Sequence, residues 1–130
     1  MQTTPIRSFR DLDVYQVSYQ AAITLIKKIL PLLPEHEKYD LKDQLSRSSK
    51  AVPRLIAEGY AKRHQKAGFQ KYLADAMAEA NETAVGLEQT RDLYLTSLDD
   101  MKLNDELIDT YDKIGRQLYK LNIAWQSFKS

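Results

Sequence analysis

Cysteine is absent from the chain, which excludes disulfide staples, thiolate metal sites and a cysteine nucleophile. Glycine and proline number only four each among 130 residues, so few turns and a small number of long elements are implied. There is no glycine-rich loop to cradle a phosphate. No apolar run approaches the length of a membrane span, and the opening MQTTPIRSFRDLD lacks the apolar segment of a secretory leader. These absences predict a cytoplasmic protein with no membrane partner. Histidine is scarce as well: only His36 and His64 occur. The residues three before them are Leu33 and Ala61, so neither completes the Glu-x-x-His pair from which helix bundles build di-metal carboxylate centres. We expect no metal and no cofactor.

What is present reads as a globular chain, 43% hydrophobic and 28% charged, long enough for one domain over residues 1–130 and too short for two comfortable ones. Apolar positions recur at alternating spacings of three and four, the seam of helices packed nearly parallel to their neighbours. The first seam is Leu12, Tyr15, Tyr19, Ala22, Ile26, Ile29. The second is Leu41, Leu45, Ser48, Val52, Leu55, Gly59. The third, Phe69, Leu73, Ala76, Ala80, Thr83, Leu87, is built of small residues at its centre and allows close backbone approach. The fourth is Leu107, Tyr111, Ile114, Leu118, Leu121, Trp125, Phe128, with Asn104 as a candidate N-cap.

The prediction is all-α: an antiparallel, up-down-up-down four-helix bundle with helices over roughly 10–30, 36–63, 66–97 and 104–128. Helix two carries Pro53 at its middle, which removes a backbone donor and presses on the Ser49 carbonyl, a local cost of about 3 kcal/mol. A kink is expected there, with Ser48 and Ser49 managing the backbone around it. Val14, Val17, Ile56, Tyr60, Met77, Leu95, Ile108 and Ile123 fall off the seams. Either the buried faces are wide, or a second packing surface joins subunits.

Catalytic chemistry is not evident. Glu58 and Glu82 are the carboxylates nearest the seams. Glu58 lies four residues from both Arg54 and Lys62, where helix-surface ion pairs would satisfy it. No histidine is placed to activate a serine, and no small-molecule substrate suggests itself. Charge, by contrast, is segregated. Between Lys42 and Lys71 stand eight cations against Asp43 and Glu58. Arg47, Lys50 and Arg54 fall within about a 60° arc of helix two, and Lys62, Arg63 and Lys66 gather at its C-terminal end. These six are candidate nucleic-acid contacts, for RNA or DNA. Basic residues at a helix C-terminus also complement its dipole, and a charged outer face also keeps a bundle in solution.

The ordered segments FRDLDVYQ, LPEHEKYDLKDQL, VPRLIAEG, FQKYLADA and ANET, between Phe9 and about Leu95, resemble the bacterial four-helix bundle family encoded by intervening sequences within 23S rRNA genes. The segment from Val52 to Gly59 is the most specific part. The resemblance implies a small bundle that assembles into a homopentameric ring, and a more distant similarity to the nucleic-acid-binding accessory protein of diversity-generating retroelements. The family name records a genomic location and implies no ribosomal role. This chain departs from the family pattern at Ala51, at Leu55, which replaces an asparagine, and at Ser46–Arg47, where a basic pair is usual. The expected function is a non-enzymatic, oligomeric bundle that binds nucleic acid or a nucleoprotein through helix two. The alternative is a structural or protein-interaction module without nucleic-acid contact.

Overall fold

The computed structural model describes residues 5–65 and 67–129, with side chains described as far as Trp125. Lys66 and the Phe128 side chain therefore lie outside the described residues. Among those residues the secondary structure is helical throughout, without a strand. Four α-helices, α1 (Asp13–Thr24), α2 (Leu41–Ala61), α3 (Gly68–Tyr94) and α4 (Leu98–Lys129), are joined by short 3-10 and π turns and brief loops. α2 packs on α3, α3 on α4, and α1 closes the set against α2 and α4.

Three of the helices begin later than their apolar patterns predict, and each delay has a local cause. Phe9–Asp11 is a separate 3-10 turn closed by a capping box. Ser8 Oγ accepts from the Arg10 N–H, and Asp11 Oδ2 accepts from Ser8 and Arg7. Extended Leu12 then separates this turn from α1. Before α2, Pro34 and a 3-10 turn at Glu35–Glu37 take up the residues assigned to the helix. Before α3, Ala67 adopts the left-handed conformation, with φ 60°. The fourth helix departs in the other direction. It starts at Leu98, after Ser97, whose hydroxyl faces the Asp100 N–H at 3.4 Å. Asp99 and Asp100 then fall in the first turn, where their charge suits the dipole.

Asn104 is consequently not an N-cap. It sits inside α4, fully buried, and its Nδ2 donates to the Leu87 carbonyl of α3 at 2.9 Å. α1 does not end cleanly either. It widens into a π turn at Leu25–Ile29 and tightens to a 3-10 turn at Leu30–Leu32. Pro31, which cannot donate to Lys27 and would crowd its carbonyl, accounts for that change of pitch.

The core runs through all four helices, sealed by Leu25, Ile29, Leu45, Val52, Ile56, Phe69, Leu73, Leu87, Tyr111, Ile114 and Leu118. Paired contacts along α2 and α3 run in opposite chain directions. Gly59 meets Phe69 and Tyr72, Ser48 meets Thr83, and Leu45 meets Gly86. α3 and α4 do the same through Leu87 with Asn104 and Gln70 with Asn122. A glycine on each of α2 and α3 permits this approach. A Cβ on Gly86 would stand 2.6 Å from Leu45 Cδ2, and one on Gly59 would stand 2.7 Å from Tyr72 Cβ.

α2 continues through Pro53, which is buried. Ser49 is sealed from solvent and its hydroxyl donates to the Ser46 carbonyl at 3.3 Å, a local backbone role. Ser48 does something different. Its hydroxyl lies 2.7 Å from that of Thr83, so it ties α2 to α3 rather than serving the proline.

At the end of the bundle where α2 begins and α3 finishes, Tyr94 donates its phenol proton to Glu37 Oε2, while Glu37 Oε1 accepts from the Leu41 N–H. The Tyr94 oxygen faces His36 Nε2 at 3.2 Å. The Tyr94 hydrogen bond, followed by that of Leu41, holds the Glu37 carboxyl below its ordinary value of 4.5. A depressed folded-state value stabilises above the unfolded value and is lost as pH falls through the folded one. The melting-temperature gap between the wild type and Tyr94→Phe is therefore expected to be full near neutral pH and to close on acidification below 4.5. A gap that stays constant across that window would show that Tyr94 stabilises by packing alone.

Candidate nucleic-acid interface

The five candidate cations among the described residues, Arg47, Lys50, Arg54, Lys62 and Arg63, do not form one surface. α1 and α2 face each other across short side chains, Ala22 from one and Pro53 and Ala57 from the other, and the space left between them is a groove of about 320 Å³. Phe9, Tyr15, Tyr19, Ile23 and Ile26 wall it on the α1 side, and Lys50 and Arg54 on the α2 side. No carboxylate lines the groove, and neither cation has an ion-pair partner among the described residues.

Arg47 turns the other way. It pairs with Asp43 at 2.9 Å on an exposed face, and it acts on Glu79 of α3. There burial raises the carboxyl, Glu82 adds to the rise and Arg47 opposes it. Its 100°-per-residue neighbours Lys50 and Arg54 share its side of the helix, but only those two reach the groove.

Lys62 and Arg63 occupy the turn after α2 and are engaged locally. Arg63 donates to the Tyr60 carbonyl at 2.9 Å and lays its guanidinium 4.0 Å from the centre of the Tyr60 ring. Lys62 donates to the Tyr72 hydroxyl at 2.9 Å, and that bond raises its ammonium above the ordinary value. Lys71 flanks the same ring at 5.3 Å and pairs with Asp75. Two of the six candidates, with Lys71 beside them, thus form an arrangement of cations on aromatic faces at a helix end. Glu58, expected to pair with Arg54 and Lys62, stands within ion-pair distance of neither; its field reaches Lys62 only as a minor influence.

The groove itself comes from a rotation of α1 away from its predicted face. The buried residues of α1 are Val14, Ser18, Ala21 and Ala22, followed by Leu25 and Ile29 in the π turn. Tyr15 and Ile26, assigned to the core by their spacing, are only partly buried, and Tyr19 is 46% exposed. Val14 and Leu25, which fall outside that spacing, take the interior places. The aromatic residues then form a run: Phe9 meets Tyr15 edge-on at 4.9 Å, Tyr15 lies 5.9 Å from Tyr19, and Arg10 covers Phe9 at 4.4 Å. Sequence spacing cannot find this set, because the aromatics and Lys50 come from different helices more than thirty residues apart. The available signal was the pair of large polar-tipped tyrosines in a helix whose other face, Val14, Ser18, Ala21 and Ala22, is made of smaller residues.

Among the described residues no group of three or more His, Cys, Asp or Glu side chains could hold a metal ion, and no helix is long and apolar enough to cross a membrane. No curated protein matches the chain. The sequence does match the 23S rRNA-intervening sequence protein family over residues 10–120, from the 3-10 turn before α1 to late in α4; the chain belongs to that family.

Proposed function

We propose that the protein is a non-enzymatic, oligomeric bundle that binds nucleic acid with little sequence preference through the cationic side of α2. Arg47, Lys50, Arg54, Lys62, Arg63 and Lys66 are the contacts in this reading, and the resemblance to ring-forming relatives suggests a homopentamer. The observation that carries it is the pair Lys50 and Arg54, which line an open groove with no carboxylate to neutralise them. Uncompensated cations on a surface are suited to phosphate oxygens, and each phosphate neutralised releases counterions. Nothing in the sequence resembles a base-reading motif, so affinity would be set by charge and multivalency rather than sequence.

A second reading has its own support. Tyr39 is 86% exposed, Leu98 82% and Leu93 64%, at the end of the bundle where the Tyr94–Glu37 contact draws α3 and the start of α2 together. Large apolar groups left in water there suit a protein partner.

Fluorescence anisotropy with labelled RNA and DNA, titrated with salt, separates the two. Binding should weaken steeply as salt rises, and Lys50→Ala with Arg54→Ala should reduce the slope of log affinity against log salt by about two. Arg47→Ala should change it less, because Asp43 already compensates that charge. Absence of binding at low salt would eliminate the nucleic-acid reading. Light scattering gives the assembly; a mass near 15.0 kDa would remove the ring.

A further inference from the structure

We propose that the α1–α2 groove takes an unstacked base of a single-stranded nucleic acid, with Lys50 and Arg54 on the adjoining phosphates. This rests on the nucleic-acid reading above and specifies its substrate class.

Shape is the first argument. The groove is concave, and its size of about 320 Å³ lies at the small end of the range for ligand sites, roughly 300–1,000 Å³. The small residues of its lining, Ala22, Pro53 and Ala57, give it an apolar floor. A duplex keeps its bases stacked and offers such a surface only its backbone, whereas a single strand can turn a base out and into it.

The walls supply the second argument. Sequence-tolerant binding of single strands combines a cationic track with aromatic side chains on which bases stack. Here Tyr15 and Tyr19 stand tilted by 37° at 5.9 Å, and Tyr19 keeps nearly half of its surface open to solvent. A tyrosine of this size left exposed beside an apolar floor has surface to gain from a planar partner. The cations flank that floor: Pro53 lies between Lys50 and Arg54 in sequence, and all three line the same groove.

Charge is the third. Lys50 and Arg54 make no ion pair among the described residues, and the groove lining contains no acid. The site is therefore complementary to an anion that also carries an apolar, planar body. A nucleotide within a strand meets both requirements.

The test uses the full chain and a short labelled oligouridylate, compared with an RNA duplex carrying the same number of phosphates. The single strand should bind more tightly. Tyr19→Ala should weaken its binding about tenfold, within the range for loss of one base–aromatic stack. That loss should appear at every salt concentration with the slope unchanged, because no phosphate contact is removed. Tyr19→Phe, which retains the ring, should bind like the wild type.

Three results would overturn the proposal, and they differ in what else they remove. Equal affinity for both probes, with Tyr19→Ala silent and the Lys50 and Arg54 variants still lowering the salt slope, would refute base insertion and leave the phosphate reading standing. Binding of neither probe at low salt would remove both. A fall in scattering mass for Tyr19→Ala, with no change in nucleic-acid affinity per chain, would identify the groove as a contact between copies of the protein.

Discussion

Asn104→Asp is expected to destabilise the bundle by about 3 kcal/mol or more at neutral pH, whereas Asn104→Leu should stay within about 1 kcal/mol of the wild type. Asn104 is fully buried, with Nδ2 on the Leu87 carbonyl and Oδ1 without a partner among the described residues. An aspartate there replaces the donor by a second acceptor, facing a carbonyl, and places a charge in a fully buried position. Leucine removes both polar atoms together. The Leu87 carbonyl still belongs to the hydrogen-bond ladder of α3, and the unsatisfied Oδ1 disappears.

The pH dependence follows from the same burial. An aspartate at this position would have its folded-state pKa raised above the unfolded value. Its penalty would be full at neutral pH and would shrink as pH falls through the folded value towards the unfolded one. Acidification should therefore narrow the gap between Asn104→Asp and the wild type, through loss of the aspartate's buried charge. Denaturant unfolding of the three proteins at pH 7 and in mild acid checks this, and equal midpoints for Asn104→Asp and Asn104→Leu at pH 7 would contradict it.

Asn104 also marks where the sequence was legible and where it was not. The seam of α3 was readable in full: Phe69, Leu73, Ala76, Ala80, Thr83 and Leu87 are all buried. That helix is flanked on two sides by close neighbours, so its periodicity records a real constraint. In α4 the residues from Leu107 to Leu118 behave likewise. Residue type alone marks Asn104 as a boundary, but α4 starts at Leu98. Ser97-Leu-Asp-Asp carries the usual start signal seven residues earlier, and only packing against Leu87 reveals an asparagine used inside a helix.

α1 failed for a different reason. It offers apolar residues on two adjacent faces, and heptad spacing cannot choose between Tyr15 with Tyr19 and Val14 with Leu25. Interior volume decided it, since Val14, Ala21 and Leu25 fit the core while the tyrosines remain at the groove. The basic candidates were visible in sequence as a charge run. Which of them are already engaged was not, because Asp43, Tyr60 and Tyr72 are chosen as partners by side-chain geometry.

Gly59→Val should cost about 3 kcal/mol, at the upper end of what overpacking of a helix interface usually causes. A Cβ at Gly59 would lie 2.7 Å from Tyr72 Cβ and 3.0 Å from Phe69 Cδ1. Tyr72 Cβ is fixed to the backbone of α3 and cannot rotate away, so the two helices must separate. The gain in helix propensity over glycine, under about 1 kcal/mol, offsets little of this. Gly86→Ala provides the contrast. Its nearest neighbour, Leu45 Cδ2 at 2.6 Å, is the far end of a flexible side chain that can change rotamer, and the expected loss is about 1 kcal/mol. The position has a functional consequence, because Gly59 sets the spacing from which Tyr60, Lys62 and Arg63 are presented. Separating α2 from α3 breaks the Lys62–Tyr72 contact and displaces the basic turn. Gly59→Val, assayed where it is still folded, should therefore bind nucleic acid more weakly than Gly86→Ala despite retaining every cation. Equal affinity and equal stability for the two variants would refute both the steric argument and the role given to that turn.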